Sequence, residues 1–191
     1  MSLRLPSIRS IAAAAALSIS SLPAVAQGGM NMAPAGAKQP PASPRDSVKA
    51  TIAGANISVD YGRPSKRGRE IFGGLGDMRW GMVWRTGANK ATHFTTSKTL
   101  QFGALAVPAG TYTLYTLLDQ GGKWMLIVNK QTEQWGTEYD AKQDLVRIPL
   151  TVASTPAVVE KMTIEVTPAG KGGEIAIMWD RSKAHAAFLV K

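Results

Sequence analysis

Apolar and polar residues alternate one by one over most of the chain beyond about position 45. Ser58 and Asp60 separate Ile57, Val59 and Tyr61, Arg147 lies between Val146 and Ile148, Thr163 and Glu165 interleave Met162, Ile164 and Val166, and Ile175, Ile177 and Trp179 keep the same rhythm. Successive side chains of an extended chain point to opposite faces, so a period of two marks strands with one face in a core and one in water. Turn-forming residues divide the runs: Gly54 to Asn56, Pro108 to Gly110, Asp119 to Gly122, Pro168 to Gly173 and Asp180 to Lys183. The pattern predicts an all-β domain over residues 43–191. Its expected form is an antiparallel β-sandwich, or a flattened barrel, of about seven to ten strands. Ile57, Val59, Tyr112, Leu114, Leu126, Val128, Ile148, Ile164, Ile177 and Trp179 are the expected core. The one helical turn suggested lies around Thr132 to Tyr139.

Residues 62–90 break this alternation. They are rich in Gly yet carry Ile71, Phe72, Leu75, Met78, Trp80, Val83 and Trp84, more large apolar groups than a solvated loop holds. A long excursion of this kind reads as a packed, functional loop closing one end or edge of the domain.

The N-terminus reads as an address. Arg4 and Arg9 precede an apolar stretch from Ile11 to Leu22, and Ala24-Val25-Ala26 gives the small-x-small pattern of a cleavage site. Residues 1–26 are therefore expected to be a signal peptide, the protein to be exported to the periplasm or beyond, and the mature form to have no transmembrane segment. Residues 27–42, composed of Gly, Ala, Pro, Met and Asn around a single Lys38, read as a flexible linker.

Composition narrows the chemistry. The chain has no Cys and only two His, His93 and His185, which removes thiolate sites and disulfides and leaves a zinc or iron centre short of ligands. No cofactor and no metal are expected. There is no G-x-S-x-G elbow and no phosphate-loop spacing around Gly68 to Gly76. Glu133, Glu138, Asp140 and Asp144 look like an exposed acidic turn rather than a catalytic pair.

Charge points back to the irregular interval. Residues 45–100 hold ten basic and four acidic groups, whereas 101–191 hold nine of each. Within the loop, Arg63, Lys66, Arg67, Arg69, Arg79, Arg85 and Lys90 face only Glu70 and Asp77. Arginine suits bidentate pairing with carboxylate or phosphate, and no nucleic-acid motif is present. The candidate ligand-binding set is Arg63, Arg69, Trp84, Arg85 and Asn89, for an anionic small molecule, an acidic sugar or a lipid head group. Two other uses of the interval remain open: arginines that hold the loop through backbone carbonyls, and a small hydrolase or isomerase site. A structural or assembly partner with an open edge strand is a further alternative.

Several blocks resemble the bacterial domain-of-unknown-function family 2911. They are Ser43-Pro44-Arg45, Val59 to Ser65, Gly68-Arg69-Glu70-Ile71-Phe72-Gly73-Gly74-Leu75, Trp84-Arg85-Thr86-Gly87-Ala88-Asn89 and Pro108 to Leu114, with Val128-Asn129-Lys130 to Trp135-Gly136 following. The resemblance covers residues 43–191 and implies an exported β-rich domain without an activity to carry over. It also implies a small or hydroxylated residue where this chain has His93. N-terminal sequencing of the exported protein should find Gln27 first; an intact Met1 terminus in the inner membrane would contradict the cleavage reading.

Overall fold

The computed structural model describes residues 42–74 and 78–191. The segment read as signal peptide, the linker up to residue 41, and Leu75, Gly76 and Asp77 of the loop lie outside the described residues. Among the described residues eleven strands follow one another: β1 (Arg45–Ile52), β2 (Ala55–Gly62), β3 (Val83–Trp84), β4 (Thr92–Thr96), β5 (Leu100–Phe102), β6 (Leu105–Val107), β7 (Gly110–Leu117), β8 (Met125–Asn129), β9 (Asp144–Pro149), β10 (Thr151–Ala169) and β11 (Gly172–Val190). The number exceeds the expected range because β3, β5 and β6 have only two or three residues, too few to display a period.

Two antiparallel sheets result. One runs β1-β2-β4-β7-β8-β9, with β3 also paired to β7, and the other runs β10-β11-β5-β6. Neither closes into a barrel, so the sandwich form holds and the flattened barrel does not. All ten expected core residues are buried in one hydrophobic cluster. The alternation that predicted them is visible in β2, where Ile57, Val59 and Tyr61 are buried and Ser58 and Asp60 half-buried. The expected helical turn at Thr132 to Tyr139 does not form. That stretch is held by an isolated bridge between Lys90 and Trp135, and the 3-10 turn falls later, at Ala141–Gln143, where Asp140 accepts from the Lys142 amide.

The β10–β11 hairpin is bent as well as long. Ser154, Val159 and Thr163 of β10 pair with Ser182, Asp180 and Met178 of β11, so nine steps on one strand match four on the other. Surplus residues on one strand curve a hairpin sharply, and Asp180 takes a left-handed φ of 53° at the bend. An extended segment from Glu174 to Lys183 would span roughly 30 Å. Instead Glu174 accepts an ion pair from Lys183 Nζ at 2.8 Å and contacts His185 Nδ1 at 2.8 Å. Pro156 sits within the surplus, which blocks a long edge for strand addition.

The Lys183 hydrogen bond, reinforced by His185, holds the Glu174 carboxyl below the usual carboxylate range. A depressed carboxyl stabilises the fold at pH values above its ordinary range, and that contribution is lost as pH falls through the lowered folded value. Glu174→Gln should therefore lower Tm by about 2 °C near neutral pH, as a half-buried, solvent-screened pair worth under 1 kcal/mol would. The difference from wild type should shrink in melts as pH falls below the ordinary carboxylate range.

Candidate functional site

The irregular interval is packed against the bulged part of β10. Pro64 O accepts from the Met162 amide at 2.9 Å, Lys66 N donates to Glu160 O at 2.7 Å, and Ser65 bridges Lys161. Lys66 Nζ continues to Asp180 Oδ2 at 2.8 Å, pinning the loop to the left-handed bend. Above this seam Ile71 and Trp84 are buried and Phe72 is half-buried. Phe72 meets Trp84, Trp124 and Trp179 with ring centroids 6.3, 4.8 and 6.5 Å away. The interval thus brings its own aromatic core, which explains its apolar content.

The Trp84 to Asn89 run forms a tight crosspiece. Thr86 is fully buried at φ 49°, a conformation costing a β-branched residue on the order of 1–3 kcal/mol. Two hydroxyls hold it: Thr92 Oγ1 donates to Thr86 O at 2.9 Å, and Thr116 Oγ1 lies 2.8 Å from Thr86 Oγ1. Gly62 passes so close that a Cβ there would stand 2.0 Å from Ala88 O. Asn89, at φ 65°, donates its side-chain amide to Ser43 O at 3.2 Å and accepts the Gly136 amide on its carbonyl at 3.1 Å.

These contacts leave an open cleft of about 300 Å³ lined by Arg69, Arg85 and Asn89, with Ser43, Met78, Trp84 and Trp179 among its other walls. Four of the five candidate residues therefore share one cleft. Arg63 does not join them. Its Nε donates to Met162 O at 2.9 Å, Nη2 to Thr163 Oγ1 at 2.8 Å, and Nη1 pairs with Asp46 at 3.2 Å, so the guanidinium is built into the seam with β10. Arg69 has a divided role: Nε and Nη2 hold Lys66 O and Ser65 O at 3.0 and 2.7 Å, while the side chain borders the cleft. Trp84 is only 2% exposed and its ring stacks on Trp179 at 5.9 Å and 24°. It is a floor, with its face already covered, and Trp80 and Trp135 are the exposed indoles. Beyond Ser43 and Arg69 a second depression of about 270 Å³ adds Arg67. A groove of about 360 Å³ on the β1–β2 hairpin has Lys49 as its one charged wall.

The sequence did not single out Tyr115 and Tyr139, which with Met82, Val83, Gly136, Thr137 and Arg85 line a smaller cleft of about 180 Å³. Residues 130–143 lie over the outer face of the first sheet through polar contacts. Gln134 Nε2 reaches Thr113 Oγ1 and Tyr115 Oη at 3.1 Å each, Thr113 Oγ1 donates to Gln131 O, and Asn129 Nδ2 donates to Asp140 O and Asp144 Oδ1. Asp144 is thus no exposed acid. Its Oδ2 accepts from Tyr139 at 2.7 Å and from Arg147, and burial together with that carboxylate pushes the Tyr139 phenol up to about 12. Burial first, then the charge of Arg45, holds the His93 imidazole below its ordinary value on β4. Among the described residues no His, Asp and Glu cluster could hold a metal ion, and no helix is long and apolar enough to cross a membrane.

No curated protein and no solved structure matches the chain. One family model does, over residues 43–188, a span that takes in the Trp84 to Asn89 crosspiece and the seam that residues 63–66 form with β10. The chain belongs to the family described as protein of unknown function, DUF2911.

Proposed function

We propose that this is an exported binding domain whose cleft beside the Trp84 to Asn89 crosspiece takes a small carboxylate or phosphate. The observation that carries the reading is the convergence of Arg69, Arg85 and Asn89 on one open cleft of about 300 Å³. Its described polar lining consists of a hydroxyl, an amide and two guanidinium groups, a donor set matched to anionic oxygens. Arg69 borders the cleft while its Nε and Nη2 fix its position, so part of the ordering cost of binding is met by the fold. The covered face of Trp84 favours the anionic half of the candidate ligands, with an acidic sugar recognised through its carboxylate rather than by stacking. The N-terminal address supports export.

Calorimetric titration with inorganic phosphate and with glucuronate tests the reading. Arg85→Gln should weaken binding by about 1.5–3 kcal/mol, the worth of hydrogen bonds to a charged group. Asn89→Ala should cost less, about 1 kcal/mol. Lys49→Ala, on the separate β1–β2 groove, should change nothing. An anion that binds equally well to wild type and to Arg85→Gln would remove the cleft from consideration.

A further inference from the structure

The Trp84 to Asn89 crosspiece gives the cleft main chain as well as side chains. Gly87 and Ala88 are among the residues that line it. Gly87 is buried, and with no side chain it can contribute only backbone to that wall. A Cβ there would stand 2.7 Å from Thr92 Oγ1 and 3.1 Å from Gly62 O, so the crosspiece presses the Cα side of Gly87 against β4 and the end of β2. Among the described residues no carbonyl or side-chain oxygen accepts from the Gly87 amide or from the Ala88 amide. The carbonyls on either side are already in use, Thr86 O by the Thr92 hydroxyl and Asn89 O by the Gly136 amide. Buried amides without an acceptor in the protein are rare, because each costs about as much as a lost hydrogen bond.

The crosspiece also changes hand. Thr86 and Asn89 take left-handed φ of 49° and 65°, and Gly87 and Ala88 between them do not. Changes of hand along a turn aim successive N–H groups to one side and make a concavity suited to an anion. Strain such as that of the buried, β-branched Thr86 persists where the surrounding structure enforces it, and it gathers at ligand sites. Arg69 borders the same cleft.

We infer that the Gly87 and Ala88 amides are the anion cradle of this cleft and that its ligand carries a phosphoryl group rather than a carboxylate. This rests on the anion reading above and narrows it to a ligand class. A terminal phosphoryl group presents three oxygens and a carboxylate two. With two main-chain donors and a guanidinium wall to meet, the third oxygen makes a charged hydrogen bond that a carboxylate leaves unmade. Main-chain donors held by the fold also add no side-chain ordering cost on binding.

The test is a titration of the 15N-labelled protein with inorganic phosphate and with formate, followed amide by amide. At about pH 5, above the ordinary carboxylate range and below the second ionisation of phosphate, each anion carries close to one charge. Phosphate should move the Gly87 and Ala88 amide protons downfield and leave that of Gly103, on the distant turn between β5 and β6, in place. It should also bind at least about tenfold more tightly than formate. Vesicles containing phosphatidic acid that pull the protein down, and release it to inorganic phosphate, would place the phosphoryl group on a lipid; no pull-down would place it on a soluble molecule. Phosphate binding that leaves the Gly87 and Ala88 amides unmoved, or formate binding as tightly as phosphate, would overturn the inference and leave the anion reading standing. Failure of both anions to bind would overturn both.

Discussion

The bulge in β10 is the constraint on which the loop, the crosspiece and the clefts depend. A hairpin with surplus residues on one strand leaves backbone groups that its partner strand cannot pair, and unpaired buried groups are costly. The interval after β2 takes them up: Pro64 and Lys66 through their backbones, and Arg63 through its Nε on Met162 O. Trp179 Nε1 adds a bond to Glu160 O from the hairpin's own side. The loop is consequently held from below by β10 and from above by its aromatic cluster. Between those two layers the Trp84 to Asn89 run is forced through two left-handed residues, and the cleft opens beside it.

This arrangement divides the loop's positive charge into two kinds. Arg63 and Lys66 serve the protein, neutralised by Asp46 and Asp180 across long sequence separations. Arg69 and Arg85 border the cleft, Arg69 with two of its nitrogens bonded to Lys66 O and Ser65 O. The same residue type is thus used for joining strands and for lining the cleft.

The period of two was sufficient for the core because burial on one face of a strand needs no knowledge of its partner. It failed on β7, where Thr113 and Tyr115 occupy the face expected to be wet and are nonetheless buried. The cover comes from residues 130–143, whose attachment by amides and hydroxyls leaves no apolar signature in the sequence. Tyr115 and Tyr139 therefore carry no signal in the sequence, and Asp144 reads there as exposed. Grouping Arg69, Trp84, Arg85 and Asn89 was legible because they lie within one short irregular interval. Removing Arg63 from the group was not, since its partners Met162 and Thr163 are about a hundred positions away.

Arg63 is the side-chain link that ties the interval after β2 to β10. Urea denaturation of Arg63→Ala, with phosphate affinity measured on the same preparation, tests it. Removing the guanidinium strips Met162 O and Thr163 of a charged donor, so stability should fall by about 2–3 kcal/mol. Phosphate affinity below the unfolding transition should stay within about twofold of wild type. A variant as stable as wild type that has lost phosphate binding would contradict the division of the arginines and place Arg63 with the ligand.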